Sequence, residues 1–391
     1  MNKQLTKLNQ VAQKKERLIL GLMSGTSLDG LDVALCRISG FGRETDIDVL
    51  NFETREYPAQ MQQRLKAVQS RDSTDTRELT SLHSELGVYY AEVVLGCLKE
   101  WGVPADQIDL TGSHGQTVYH APAEIQGEIN STLQIVDGDH IAVNTGIITI
   151  SDFRQKHTAA GGEGAPLAAI FDECLFRTER NNRMLLNLGG ISNFTWLPSA
   201  KSRELVTGDI GPANTLINEA MQKYFNRPFD KGGKVAQRGT VHSEMVRYVL
   251  LEPYFRKSFP KTTGQEDFRL NYIEELMKGH GIELSKEDLV ASLTAITSQS
   301  ISRVADQIAG DTEFEMYVSG GGVHNHAVME DLKKRIPQAT FKDPEELGIS
   351  SDAKEAAMMA FFANEFVAGN GFRIPGISES KIQLGKLSFG K

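Results

Sequence analysis

The chain has 391 residues, 40% hydrophobic and 24% charged, with a net charge of −9. That length predicts about two to three domains with a core large enough to need no disulfide or metal staple. The acidic balance argues against a nucleic-acid surface over the whole molecule, and no window approaches the roughly 18 apolar residues of a membrane span.

Residues 1–16, MNKQLTKLNQVAQKKE, are basic and polar and lack the apolar stretch of a secretory signal. They are expected to form a flexible tail on a soluble, cytoplasmic protein. The segments RLILGLM (17–23) and LDVALCRI (31–38) read as two strands of a hairpin with a long turn. From Ser73 to Trp101, leucine, tyrosine and valine recur near a 3.6-residue period, which marks a packed helix. IDLTGSHGQT reads as a strand ending in a polar loop, and LQIV and ITISDF as short strands. GAPLAAIFDECLFR (164–177) reads as a helix.

MLLNLGGISNFTWL (184–197) then repeats the opening layout of apolar strand, glycine turn and apolar strand. ELVTGDIGPANTLINEAMQKYF reads as strand, loop and helix, the helix starting near Pro212, where proline is tolerated. Residues 240–310 are mostly helical. EMYVSGGGVHNHAVMEDLKKRI (315–336) reads as strand, triple glycine and helix, and SSDAKEAAMMAFFANEFVAG as a closing helix. The alternation predicts an α/β protein. The layout suggests a coarse duplication joined near residues 150–180. Cys36, Cys97 and Cys174 are scattered in apolar contexts with no CxxC pair, so they read as free thiols in a reducing compartment.

The turn SGTSLDG (24–30) combines two glycines with the hydroxyls of Ser24, Thr26 and Ser27. Such a turn gathers backbone N–H groups at a concave point suited to phosphate oxygens, and it also suits a plain hairpin loop. NLGGISN (187–193) supplies a second such turn, and SGGG (319–322) a strand-to-helix glycine run suited to an α-phosphate or a nucleoside face. There is no GxxxxGK[ST] and no GxGxxG, which removes the P-loop and weakens a dinucleotide site.

These motifs, with GSHGQT (112–117), SDFR (151–154), AAGGEGAPL (159–167), GDIGPANTL (208–216) and SGGGVHN (319–325), resemble the anhydro-N-acetylmuramic acid kinase family of the sugar kinase, Hsp70 and actin superfamily. The resemblance runs from about Leu18 to Phe366. It implies a two-domain actin/hexokinase-like (ribonuclease H-like) α/β fold with ATP in a central cleft. The expected divisions are 17–150 and 151–370, with residues 371–391 returning to the first domain. The resemblance also implies ATP and Mg²⁺ as cofactors. Ser24, Gly25, Thr26, Ser27, Leu28, Asp29, Gly30, Leu31 and Asp32 look like the first phosphate loop. Gly189 and Gly190 look like the second, and Gly320, Gly321 and Gly322 like the adenosine motif. The family opens the 1,6-anhydro bridge of a muramyl sugar with water and phosphorylates O6, giving N-acetylmuramic acid 6-phosphate in cell-wall recycling.

The chemistry constrains the residues. O6 of a 1,6-anhydro sugar bridges to C1, so phosphorylation must accompany C1–O6 cleavage, and a water attacking C1 needs a base such as a carboxylate. Asp209 matches the family's catalytic aspartate; as a bare residue it also suits a helix cap or turn. Asp29 and Asp209 are the candidate outer-shell carboxylates for Mg²⁺, which keeps several waters. Ser113, His114 and Gln116 suit sugar recognition, though a loop histidine is also a common structural hydrogen-bonder. Asp152 and Arg154 follow ITI. Arg154 suits the lactyl carboxylate of the muramyl group, or an ion pair between domains. Glu355, early in the closing helix, is open between substrate contact and a helix-dipole role. KTTGQEDF (261–268) reads as a loop, with the lining of the sugar pocket as an option.

The partners expected are the anhydro-muramyl sugar and ATP, with no nucleic acid and no membrane, and a homodimer as an option. One rival is a levoglucosan-type kinase, for which Arg154 would be idle. The other is an ATP-binding regulator on the same fold, which would need no base at Asp209.

Overall fold

The computed structural model describes residues 2–123, 129–199, 205–374 and 378–391. In chain order the first elements are α1 (Lys3–Gln13), β1 (Glu16–Ser24), β2 (Gly30–Ser39), β3 (Asp46–Glu56), α2 (Ala59–Val68), α3 (Thr76–Trp101), β4 (Leu110–Ala121), β5 (Ser131–Ile135), α4 (Gly138–Thr145), β6 (Thr149–Ser151), α5 (Phe153–Ala159) and α6 (Leu167–Phe176). Next come β7 (Arg183–Leu188), β8 (Ile191–Leu197), β9 (Val206–Pro212), α7 (Asn214–Phe225), α8 (Ser243–Val249), α9 (Leu270–Gly279), α10 (Lys286–Ala309), β10 (Phe314–Ser319), α11 (His326–Arg335) and β11 (Ala339–Lys342). The chain closes with α12 (Lys354–Ala368), β12 (Phe372–Ile374), β13 (Ser378–Ile382) and β14 (Lys386–Ser388).

Contacts divide the chain into two units, residues 1–175 with 348–391, and 176–347. This differs from the divisions read from sequence at 150 and 370. The physical reason is pairing and packing: β6 pairs in parallel with β4, β14 pairs with β6, and α12 packs on β1, β2 and β4, so these segments belong to the first unit.

In the first unit the sheet order is β14-β6-β4-β1-β2-β3, with β5 on the far part of β4. β1, β2 and β3 are antiparallel neighbours, while β1 and β4 run parallel. β1 reads as a near-continuous apolar run because both its faces are covered. Leu20 and Leu22 join Leu82, Leu86 and Tyr90 of α3 in one buried cluster. The other face carries α12. Gly21 and Gly112 are register partners, and a Cβ on either would fall 1.8 Å from the Ala356 carbonyl oxygen or 2.1 Å from that of Met359. Two adjacent glycines thus let the helix backbone rest directly on the sheet. α3 is capped by the Asp75 carboxylate, which accepts from the Arg77 and Glu78 N–H groups, and ends at Gly102 with φ 69°.

The expected flexible tail is instead mostly helix α1. Asn2 caps it, accepting from the Gln4 N–H. Arg17 donates to the Val11 and Ala12 carbonyls and to Asn364 of α12, and Lys14 pairs with Asp109 at 2.6 Å. Asp109 and Asn364 lie far along the chain, so local composition does not reveal these anchors.

In the second unit the order is β11-β10-β7-β8-β9, with β7, β8 and β9 antiparallel and β10 parallel to both β7 and β11. The first three strands form a meander and the fourth adds parallel beside the first, as in the other unit. This repeated order is the ribonuclease H-like topology of the actin/hexokinase-like fold, and it confirms the coarse duplication. α10 buries Leu289, Val290, Leu293, Ile296 and Ile301 in the core of this unit. Among the described residues no helix is long and apolar enough to cross a membrane.

Candidate active site

The β1–β2 hairpin presents residues 25–29 at its tip. Ser24 is buried: its hydroxyl lies 2.6 Å from the Gln116 Oε1 and 3.1 Å from the Gly30 carbonyl oxygen, and it accepts from the Tyr57 hydroxyl at 2.8 Å. Gln116 also donates through Nε2 to the Gly25 carbonyl at 3.1 Å. Ser24 and Gln116, one read for phosphate and the other for sugar, therefore act together to brace the turn. Leu28 and Leu31 are core residues, and Leu28 takes the left-handed φ of 59°. Gly30 is required by packing, since a Cβ would lie 2.4 Å from the Arg55 carbonyl oxygen. Gly25, Thr26, Ser27 and Asp29 remain toward solvent at the tip, with the Ser27 hydroxyl donating to Asp29 at 2.7 Å. Asp32 lies on β2 and accepts from Thr54 at 2.6 Å; burial raises its pKa.

SHGQT is not a strand-end loop. It is the middle of β4, and its polar residues are buried. The Ser113 hydroxyl is buried without a hydrogen-bond partner among the described residues. His114 is 3% exposed. Its Nδ1 lies 3.0 Å from the Gly115 carbonyl oxygen and its Nε2 lies 2.8 Å from Arg154 Nε. Arg154 Nε is always a donor, so Nε2 accepts and Nδ1 carries the proton. Burial and the neighbouring Arg154 charge hold the His114 pKa down at about 3. The ring is therefore neutral and fully engaged, and it orients Arg154.

Arg154 sits on α5 and also donates through Nη1 to the Gly164 carbonyl at 2.7 Å. The Gly164 N–H in turn donates to Nδ1 of His157 at 3.0 Å. Arg154's second terminal nitrogen takes no hydrogen bond among the described residues, which leaves one edge of the fork for an anion. Burial lowers the Arg154 pKa to about 10, opposed by Glu355, and the guanidinium stays charged. Asp152 stands just before α5 with φ 57° and makes no capping hydrogen bond; one carboxylate oxygen pairs with Lys386 while the other is buried without a partner among the described residues. Glu355 opens α12 with its side chain exposed.

In the second unit Asp209 lies within β9, opposite Asn193, rather than in a loop after the strand. One loop holds it on three sides. Its N–H donates to the Lys261 carbonyl at 2.9 Å, its carbonyl accepts from the Tyr254 hydroxyl at 2.7 Å, and its Oδ2 accepts from the Thr263 N–H at 2.9 Å. The flanking glycines of GDIG make this approach possible. A Cβ at Gly208 would lie 2.8 Å from the Lys261 carbonyl oxygen, and one at Gly211 2.8 Å from the Phe255 ring. Oδ1 takes no hydrogen bond among the described residues. Burial raises the Asp209 pKa, opposed by the Thr263 hydrogen bond and by Lys261.

The same loop reaches the second glycine turn, where a Cβ at Gly190 would lie 2.6 Å from Gln265 Nε2. The segment KTTGQEDF is thus a loop in contact with both Asp209 and the second glycine turn. The Gly189 and Gly190 carbonyls accept from the N–H groups of Ala213, Asn214 and Thr215 at the start of α7, so that helix end is closed by the turn. Gly320 and Gly322 pack on Leu188, where a Cβ would lie within 2.8 Å of the Leu188 carbonyl oxygen or 2.6 Å of the Leu188 Cβ. The second turn and the triple glycine are therefore one surface. Gly233 joins it, packed on Asn325 at the start of α11. KGGK (231–234) carried no weight in the sequence reading, although its paired glycines were a signal. Tyr254 carried no signal in the sequence, and Lys261 stood out only as part of a polar loop, because their contacts with Asp209 lie far along the chain.

A profile described as anhydro-N-acetylmuramic acid kinase matches residues 17–385. The chain belongs to the anhydro-N-acetylmuramic acid kinase family. A relative of that name from Pseudoalteromonas atlantica is 43% identical over 400 residues, covering 100% of both chains. One from Caldanaerobacter subterraneus is 37% identical and covers 98% of this chain and 100% of its own. One from Bacillus cereus is 36% identical and covers 95% of this chain and 99% of its own. All the motifs described above fall inside the matched segment. As a family member, the chain is a sugar phosphotransferase that uses ATP.

Proposed function

We propose that the protein hydrolytically opens 1,6-anhydro-N-acetylmuramic acid and phosphorylates O6, giving N-acetylmuramic acid 6-phosphate and ADP, in recycling of cell-wall sugars. The observation that carries this reading is Asp209: a half-buried carboxylate fixed at three points by one loop, with one oxygen left unbonded. Asp209 Oδ1 takes a proton from water as the water oxygen bonds to C1. The C1–O6 bond breaks, and O6 takes the γ-phosphoryl group while ADP leaves. Burial makes Asp209 a stronger base than an exposed aspartate, and its hydrogen bond to Thr263 fixes the direction of attack.

The first unit is assigned the sugar's carboxylate, through the free edge of Arg154. Its hairpin tip, Gly25 to Asp29, is assigned phosphate oxygens. In the second unit the turn at Gly189–Gly190 is assigned phosphate, and Gly320–Gly322 with KGGK the nucleoside. Among the described residues no group of three His, Cys, Asp or Glu gathers as a metal site. Mg²⁺ would be held by the nucleotide's phosphates and waters and would supply charge neutralisation there. Asp29, exposed at the hairpin tip, is the carboxylate assigned to its outer shell, since Asp209 is assigned to water.

Turnover in H₂¹⁸O tests the route. The label is expected at the C1 hydroxyl and absent from the phosphate ester. Label in the phosphate, or an unlabelled C1 hydroxyl before anomeric exchange, contradicts water attack at C1. Turnover of levoglucosan in preference to the muramyl sugar would move the substrate and leave Arg154 without its assigned role.

A further inference from the structure

Asp209 has more than a sequence neighbour to set its position. Lys261 is 8% exposed, and its Nζ lies 4.3 Å from the Tyr254 ring centroid and 5.0 Å from that of Phe259. The same ammonium donates to the Tyr254 carbonyl at 3.0 Å. The Tyr254 hydroxyl donates to the Asp209 carbonyl at 2.7 Å, and the Lys261 carbonyl accepts from the Asp209 N–H at 2.9 Å. Lys261 and Tyr254 thus bind each other and each binds the backbone of Asp209 from a different side. The loop is anchored in turn by the edge-to-face pair Phe194–Phe259 at 4.9 Å and by Tyr254 against Phe268 at 5.5 Å.

A buried lysine with no carboxylate partner at hydrogen-bond distance among the described residues is an expensive choice for a loop that only needs packing. Cation–π contact with two rings and a carbonyl hydrogen bond offset part of that cost. Methionine or leucine would fill the same space without it. The arrangement makes sense when the ammonium closes the loop into a fixed shape around the aspartate.

We propose that Tyr254 and Lys261 form a latch that positions Asp209 for proton abstraction, each acting through Asp209 and neither touching the sugar or the nucleotide. This rests on the reading of Asp209 as the base. The latch fixes both backbone groups of Asp209, and Thr263 fixes the carboxylate, so the aspartate keeps its aim only while the loop is shut. Positioning of a reacting group is worth up to about 100-fold in rate for a displacement near 1 Å.

The test uses the full chain with Tyr254→Phe, Lys261→Met, Lys261→Arg and Asp209→Asn, with kcat and both KM values measured on Mg-ATP and 1,6-anhydro-N-acetylmuramic acid. Tyr254→Phe keeps the ring and removes only the hydroxyl. The latch predicts that it lowers kcat about 10-fold while both KM values stay within about 2-fold. Lys261→Met is expected to lower kcat at least as much, and Lys261→Arg, which keeps the cation, to recover part of the loss. A wild-type kcat in Tyr254→Phe, with Asp209→Asn inactive, overturns the latch and leaves the base in place. A fully active Asp209→Asn overturns the base and the latch with it. Equal loss in Lys261→Arg and Lys261→Met, with KM rising in step, also overturns it, because that pattern is general loop damage.

Discussion

Arg154 Nε donates to Nε2 of His114 at 2.8 Å, a bond that requires the histidine to be neutral. The histidine is buried in the middle of β4 and cannot reach a ligand with either ring nitrogen. Its effect is to set the direction of the arginine fork. Arg154→Gln is expected to raise KM for 1,6-anhydro-N-acetylmuramic acid about 10- to 100-fold, the scale of one charge-assisted interaction, with KM for ATP little changed. Initial rates over a sugar series check this. An unchanged sugar KM would remove Arg154 from the carboxylate.

The same neutral histidine makes stability depend on pH. His114 and His157 have pKa values held down at about 3 and about 4 by burial, against 6.5 when exposed. The unfolded chain therefore binds more protons than the folded chain between pH 6.5 and those lower values. Stability contributed by the neutral rings is fully present above pH 6.5 and is lost as pH falls through that window. Urea unfolding at pH 7.5 and at pH 5 should show a lower midpoint at pH 5. His114→Gln should show a smaller difference between the two, and an equal difference would contradict the assignment.

Catalysis should show its own acid limb. Asp209 must be ionised to accept a proton, and burial raises its pKa above the ordinary 3.8. As pH falls through that raised value the base is protonated and kcat/KM drops, so the limb lies above the usual aspartate range. Lys261 opposes the shift, so Lys261→Met should move the limb to higher pH. A pH–rate profile with no shift in the variant would show that the ammonium exerts no charge effect on the base.

Gly21 and Gly112 carry the packing of α12. A methyl at either position meets a helix carbonyl at 1.8 Å or 2.1 Å, and the obstacle is backbone rather than a movable side chain. Gly112→Ala is expected to cost about 3 kcal/mol or more, at the upper end of overpacking effects. Chemical denaturation measures this, and a loss under about 1 kcal/mol would mean that α12 shifts freely on the sheet.

The sequence pattern made the strands and hairpins legible because their signal is local. The turn at 24–30 between two apolar runs, and its echo at 187–193, appear in the structure where the periodicity placed them. SHGQT misled because polar residues in a strand normally mark an exposed face or an end. Here they are buried by one another, Gln116 by Ser24 and Gly25, and His114 by Arg154. The N-terminal helix was hidden for a similar reason, since its anchors are Asp109 and Asn364. For the candidate site, the glycines and Asp209 stood out by spacing. Tyr254 did not, and Lys261 and Thr263 stood out only as members of a polar loop, because they meet Asp209 from 45 to 54 residues away in sequence.

The most direct test of the central claim is ADP release from Mg-ATP with 1,6-anhydro-N-acetylmuramic acid, levoglucosan and N-acetylmuramic acid, for wild type and Asp209→Asn. The account predicts turnover with the anhydro-muramyl sugar, little with the other two, and loss of at least about 1,000-fold in the variant, the upper part of the range for general-base catalysis. Turnover of N-acetylmuramic acid at a matching rate, or an Asp209→Asn variant that retains wild-type kcat, would contradict it.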